Sequence, residues 1–138
     1  MDKTTLVDRD ISDGERLIKK LDKSRFKVSS ALWFYVSELS EWKLILASDY
    51  VDKRGQKEAY IIIQKKLETI KPPVDIFLSN ISVIGANYGI VGLLKRFIAP
   101  KSTEGFFNMR ITGIVLNGTI IEDAFIYRLP YLKTNTEE

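Results

Sequence analysis

The chain is predicted to fold as one α+β domain, residues 1–138, around a mainly antiparallel sheet of about five strands. Three observations predict this class. Apolar residues recur at helical spacing in some stretches, while others are rich in aromatic and β-branched residues, as strands are. Two pairs of predicted strands are joined by turns short enough for hairpins, which make antiparallel sheets. The length of 138 residues suits one core. The expected order is α-β-β-α-β-α-β-β, with the helices packed mostly on one face and loose termini at 1–10 and 130–138.

The first half of the chain contains a helix and a hairpin. Ser12 and Glu15 have the spacing of a capping box, which predicts a helix that starts near Asp13. Residues 31–36 are rich in aromatic side chains, and residues 42–47 are mostly apolar. Because only a short polar turn separates these two runs, they are expected to pair as a hairpin.

A second helix and a third strand are expected in the middle of the chain. Asp52 is a suitable N-cap for a helix that runs to about Ile70, and the double proline at 72–73 ends it. Three consecutive isoleucines favour a strand, so residues 58–64 stay open between helix and strand. A strand is expected over 74–83.

The last part of the chain predicts a short helix and a second hairpin. Asn87 can cap a helix that reaches Ile98. Asn117-Gly118 lies between two apolar runs and is typical of a two-residue type I′ turn, which fixes the strand register. One face of this hairpin is expected to meet the core, and it carries the pairs Val115/Ile120, Gly113/Glu122, Ile111/Ala124, Met109/Ile126 and Phe107/Arg128.

The composition excludes several kinds of site. The chain has no Cys and no His, which excludes disulfides, thiolate nucleophiles, imidazole general bases and the usual zinc sites. Any catalysis would therefore use carboxylates, Lys, Tyr or a hard metal ion. The N-terminus is charged, and polar residues interrupt the longest apolar stretch, 76–98. We therefore expect a cytoplasmic protein without a membrane partner.

Glu122 and Asp123 are the first candidate catalytic residues. The predicted register turns Glu122 toward the apolar face, opposite Gly113. Burial would raise the pKa of such a carboxylate, as general acids require. The alternative is structural: Glu122 lies at a sheet margin, or it pairs with Arg128 two positions along the same face.

A second candidate site is a divalent-metal centre for phosphodiester hydrolysis. Glu41 and Lys43 have the Glu-x-Lys spacing in which an acid holds a cation and a lysine steadies the attacking water. Such a site also needs an Asp from a neighbouring strand, and the candidates are Asp49 and Asp75. Neither has the expected order in the chain, and Glu41 is equally explained as a turn residue.

Clusters of basic residues suggest a nucleic-acid-binding face. Residues 16–27 contain six bases and one acid, and residues 53–71 contain six bases and two acids. The candidate contacts are Lys19, Lys20, Lys23, Lys65 and Lys66. The bland alternative is that these charges complement helix dipoles, and the net charge of +3 is small for a nucleic-acid binder.

Two segments resemble a group of small bacterial proteins with no assigned activity. In residues 31–67, an aromatic strand is followed by Glu41-Trp42-Lys43, a strand that closes on Ala47-Ser48, and Val51-Asp52 before a helix with Glu-Ala-Tyr. Residues 110–128 resemble the closing hairpin of that group. The resemblance covers about half of the chain. It implies a stand-alone bacterial domain and brings no catalytic residues.

The sequence as a whole favours a binding module over an enzyme. Fifteen aromatic residues (two Trp, six Tyr and seven Phe) suit an interface, so the expected partner is a second copy of the chain. The alternatives are nucleic-acid binding through the helical Lys and Arg faces, and a divalent-metal phosphodiesterase. No cofactor, no resident metal and no particular small-molecule ligand is predicted.

Overall fold

The computed structural model describes residues 5–98, 106 and 108–130, so nearly all of the predicted tail 130–138 lies outside the described residues. Within the described part, the elements follow the predicted order, with a 3-10 helix Leu78–Asn80 added before the third strand. The elements are α1 (Asp8–Asp22), β1 (Ser30–Val36), β2 (Glu41–Ala47), α2 (Asp49–Thr69), β3 (Ile81–Ile84), α3 (Gly89–Phe97), β4 (Met109–Leu116) and β5 (Thr119–Arg128).

The five strands form one mixed sheet in the order β3-β2-β1-β5-β4. The pairs β1–β2, β1–β5 and β4–β5 are antiparallel, whereas β2 and β3 are parallel. The parallel pair was not predicted. It follows from the connection, because a helical crossover through α2 returns the chain to the same end of the sheet before β3 begins.

Helices cover both faces of the sheet. On the first face, α1 and α2 pack on an apolar cluster that includes Trp33, Leu44 and Tyr127. On the second face, α3 contributes Val91 and Leu94 to a smaller cluster. The prediction that the helices lie mostly on one face therefore holds for α1 and α2 but not for α3.

Two helices start earlier than predicted, because residues other than the predicted caps satisfy their first N–H groups. In α1, which begins at Asp8, the Asp10 carboxylate accepts a 3.0 Å hydrogen bond from the backbone N–H of Val7. In α2, the Ser48 hydroxyl accepts from the N–H of Tyr50 at 3.1 Å. Asp52 is instead one turn inside α2, and its carboxylate accepts from the N–H of Ala86 at 3.0 Å.

The middle of the chain differs from the prediction in extent. Residues 58–64 are helical, and α2 carries a kink at Gly55, where φ is +85°. The third strand is limited to Ile81–Ile84 rather than 74–83. The helix α3 begins after Tyr88, and Asn87, the predicted cap, has its side chain occupied by Lys95.

The register of the second hairpin is confirmed, and its predicted core face holds at the pairs Ile111/Ala124 and Met109/Ile126 but not beyond Gly113. Asn117 and Gly118 have φ values of +50° and +82°, as a type I′ turn requires, and Met109 pairs with Ile126 as predicted. At Gly113, φ is +60°, and this residue interrupts the alternation of side chains. Val115 and Ile120 are consequently 62% and 67% exposed instead of facing the core. In their place, Ile121 is fully buried and Ile114 packs against the second-face cluster.

Candidate functional site

Glu122 and Asp123 line an open cleft at the end of the sheet. The cleft has a volume of about 420 Å³, and Tyr35, Trp42 and Arg110 form much of its wall together with Thr5 and Leu6 near the N-terminus. Glu122 is exposed rather than turned toward the apolar face, because the interruption at Gly113 changes the direction of its side chain. The predicted desolvated carboxylate is therefore absent at this position.

The charged groups of the cleft have partners within the protein. Arg110 donates two hydrogen bonds to the Asp123 carboxylate, 2.6 Å from Nε to Oδ1 and 2.8 Å from Nη2 to Oδ2. The guanidinium carbon of Arg110 lies 5.4 Å from the centre of the Trp42 ring. The hydrogen bond to Asp123 raises the pKa of Arg110. Glu122 accepts a hydrogen bond from the Ser37 hydroxyl.

The alternative pairing of Glu122 with Arg128 is not formed. Arg128 instead contacts Asp22, with 2.9 Å between Nη1 and Oδ2, and donates to the carbonyl of Val28 at 2.8 Å. Arg128 thus fixes the segment after α1 to the end of β5. The cleft itself contains the ion pair of Arg110 with Asp123 and the rings of Tyr35 and Trp42, an arrangement that positions the hairpin on the neighbouring strands.

The four candidate residues of the predicted divalent-metal centre do not form one site. Glu41 opens β2 and Asp49 follows its end, so the length of the strand, about 20 Å, lies between them. Lys43 contacts Glu41 at 3.8 Å and donates to the Ser79 carbonyl at 2.7 Å. The backbone N–H of Asp75 donates to Asp13 in α1 at 2.9 Å. In residues 5–98, 106 and 108–130, no three acidic side chains come together as a metal site requires.

The predicted basic residues, in contrast, are brought onto adjoining grooves. Lys19, Lys20 and Lys23 line a groove of about 250 Å³ at the C-terminal end of α1, together with Arg16, Ile70 and Lys71. Lys65 and Lys66 line a second groove of about 320 Å³, together with Ser24, Arg25 and Ile62. Both grooves lie where the end of α1 meets the second half of α2. We refer to the bases that line these two grooves as the basic face: Arg16, Lys19, Lys20, Lys23, Arg25, Lys65, Lys66 and Lys71.

Apolar packing between the two helices produces this arrangement. Leu17, Ile18 and Leu21 point into the core shared with Ala59 and Ile63 of α2, so the polar sides of both helices turn outward. Bases at the C-terminal ends of α1 and α2 also interact favourably with the helix dipoles. A third groove continues the positive surface beyond Arg25, and it is lined by Lys27, Lys53 and Tyr50 among others.

Most charges of the basic face have no acidic partner. Lys19 forms an ion pair with Glu15 at 2.8 Å, and Arg16 pairs with Asp13 at 3.5 Å and also donates to the Pro72 carbonyl. The other six bases form no ion pair with an acid in the described part of the chain: Lys20, Lys23, Arg25, Lys65, Lys66 and Lys71. Their charge is therefore available to a ligand.

Two groups of site residues were missed by sequence reasoning. Arg16, Arg25 and Lys71 complete the grooves; they belong to the two basic clusters of the sequence but were not among the predicted contacts, because nothing local distinguishes them from the other bases there. Arg110 could have been found, since the predicted register places it one pair away from Asp123 on the same face.

Comparisons with known proteins give no family for this chain. No protein-family model, curated protein or solved structure matches it. Among the helices that the structure describes, each is too short or too polar to cross a bilayer.

Proposed function

We propose that this protein is a non-enzymatic binding module whose basic face binds the phosphate backbone of a nucleic acid. The observation that carries the proposal is the convergence of two basic segments, separated by about 40 residues in sequence, onto adjoining grooves. Helix-dipole effects account for bases at each helix end separately, but they do not require the two groups to meet.

The chemistry of the basic face fits phosphates better than carboxylate side chains. Its positive groups are long, flexible and spread along two helices rather than gathered in one pocket. Such a surface matches the regular negative charge of a polyanion and makes no sequence-specific contact with nucleobases. Binding is therefore expected to be independent of sequence and strongly dependent on salt. Four phosphate contacts would give a slope of about −3.6 in log K against log salt on duplex DNA.

The direct test is fluorescence anisotropy with a labelled 20-base-pair duplex and a labelled 20-nucleotide single strand. At 50 mM salt we expect a Kd in the micromolar range, increasing by about 100-fold at 200 mM salt for four phosphate contacts. An affinity that does not change with salt would contradict the proposal, as would the absence of binding at 50 mM salt.

A matched pair of charge reversals locates the binding surface. Arg25 lies in the basic face, whereas Arg96 is an exposed arginine on α3, across the sheet. Arg25→Glu and Arg96→Glu change the net charge equally, so they differ only in position. We expect Arg25→Glu to weaken binding by about tenfold and Arg96→Glu by less than twofold, because salt screens distant charges. Equal effects would mean that only the net charge matters.

The double reversal Lys65→Glu/Lys66→Glu should weaken binding more than Arg25→Glu. Both lysines lie in the second groove and face no described acid. The fold of this variant is checked by circular dichroism, since surface lysines contribute little to stability.

A further inference from the structure

The two edge strands of the sheet, β3 and β4, differ in whether their outward backbone groups are hydrogen-bonded. At the β3 edge, side chains from α2 occupy the outward backbone groups. The Tyr60 hydroxyl donates to the Ile81 carbonyl at 3.2 Å and accepts from the N–H of Val83 at 3.3 Å. Gln56 Nε2 donates to the Val83 carbonyl at 2.8 Å. This edge therefore cannot pair with another strand unless α2 moves.

The β4 edge has no such protection from the described residues. β4 pairs with β5 on one side, and no described group outside the hairpin hydrogen-bonds to its backbone on the other. A row of open N–H and C=O groups on an edge strand is a template for another strand. At eight residues, β4 is also twice as long as β3.

Apolar side chains lie beside this open edge. Ile111, Ile114 and Leu116 belong to the second-face cluster but are only partly buried. The helix that covers this face, α3, has nine residues and is about 13 Å long, whereas five strands span about 19 Å. Val115 and Ile120, on the opposite face of the hairpin, are further exposed apolar residues near its tip.

We propose that β4 pairs antiparallel with the β4 of a second copy, joining two sheets into one of ten strands around a two-fold axis. If Met109–Leu116 of one copy pairs along its full length with the same residues of the second copy, the axis passes between Thr112 and Gly113. In that register, Met109 faces Leu116 of the second copy and Ile111 faces its Ile114. Apolar residues thus meet apolar residues in the pairs Met109/Leu116 and Ile111/Ile114, and the two-fold axis repeats each pair, as an isologous interface requires. This self-complementarity identifies the occupant as a second copy.

Oligomeric state tests the interface. We expect sedimentation velocity at 200 µM to give a species of twice the 15.8 kDa chain mass, with dissociation on dilution. Val115 would face Arg110 of the second copy, so Val115→Lys should weaken the dimer at least tenfold, whereas Val115→Glu should not. Ile61→Lys is the control, because Ile61 is 46% exposed on α2, remote from β4. A monomer at 200 µM, or equal dissociation of the three variants, would overturn the proposal.

The absence of Cys allows the register to be tested directly. In a Met109→Cys/Leu116→Cys variant, the two cysteines of one chain are about 24 Å apart and cannot bridge. The proposed register brings position 109 of each chain against position 116 of the other, so mild oxidation should link the two chains into a covalent dimer. Either single variant should remain a monomer on a denaturing gel. Equal cross-linking of the single and double variants would rule out this register. Amide hydrogen exchange gives a second check: if the β4 amides are protected in a monomeric protein, residues of the same chain cover the edge and the proposal is wrong.

Discussion

The two faces of the sheet are closed by different means. On the first face, α1 is fixed by hydrogen bonds inside the core. The Tyr127 hydroxyl accepts from Trp33 Nε1 at 2.9 Å and donates to the Ile11 carbonyl in α1 at 2.6 Å. Burial raises the pKa of Tyr127, which keeps the hydroxyl protonated as this donation requires. The helix approaches closely enough that Gly14 has the Tyr127 ring against its backbone.

On the second face, α3 is held by apolar contacts and one buried charge. Lys95 is 6% exposed, and its ammonium donates to the Ala86 carbonyl at 3.0 Å and to Asn87 Oδ1 at 2.9 Å. Burial lowers the pKa of Lys95, while the negative charge of Asp49 acts in the opposite direction. The first face therefore depends on close packing, whereas the second tolerates a group whose burial is unfavourable.

The largest expected effect is that of Gly14→Ala. A Cβ at this position would overlap the Tyr127 hydroxyl and lie 2.9 Å from its Cζ and 3.2 Å from Trp33 Nε1. Overpacking of this kind costs about 1–3 kcal/mol, and an overlap with two fully buried rings belongs at the upper end, about 3 kcal/mol; Ala offsets roughly 1 kcal/mol of it because it favours a helix over Gly. We expect a net loss of about 2 kcal/mol in the free energy of unfolding, measured by urea denaturation.

The matched control is Ser12→Ala, an exposed position two residues earlier in the same helix. It should change stability by less than about 0.5 kcal/mol. If Gly14→Ala is no less stable than Ser12→Ala, then α1 can shift on the sheet and the first face is no more exacting than the second.

Tyr127→Phe should have the next largest effect. It removes one hydroxyl and leaves the buried Trp33 Nε1 without a hydrogen-bond acceptor, while the Ile11 carbonyl keeps only its bond within α1. The expected loss is about 1–2 kcal/mol, because leaving a buried polar group unsatisfied costs its desolvation free energy. In the double variant with Gly14→Ala, the atom that the new Cβ overlaps is gone. The double variant should therefore lose less stability than the two single variants together. Strict additivity would show that the hydroxyl and the Cβ do not meet.

The features of the fold that depend on residues close together in sequence could be predicted, and those that depend on distant residues could not. The type I′ turn at Asn117-Gly118 and the register of its strands follow from neighbouring residues, and the structure confirms them. The start of α2 did not follow, since Ser48 and Asp52 are both suitable caps and the choice depends on the contact between Asp52 and Ala86. The face reversal at Gly113 was missed because strict alternation was assumed.

The candidate sites likewise depend partly on local sequence and partly on contacts between distant residues. The two basic segments were visible in the sequence, but their meeting depends on how α1 packs against α2 in the core. The separation of Glu41 from Asp49 was already implied by a strand between them, and it removes their use in a common cation site. The open β4 edge and the protected β3 edge could not be read from the sequence, because the order of strands in the sheet was not predicted.

The smallest expected effect concerns pH and belongs to the second face. Because the pKa of Lys95 is lowered on folding from its ordinary value of 10.5, the unfolded chain binds its proton more tightly than the folded chain. The free energy of unfolding contributed by this group therefore increases as pH increases toward 10.5 and is constant above it. Lys95→Met removes this dependence and the two hydrogen bonds together, so at pH 7 its net effect should stay within about 1 kcal/mol. Denaturation of both proteins between pH 7 and 10.5 measures the difference, which cancels the groups they share. The free energy of unfolding of the wild type minus that of the variant should increase with pH, and a difference that stays constant or decreases would show that the ammonium is not disfavoured by its burial under α3.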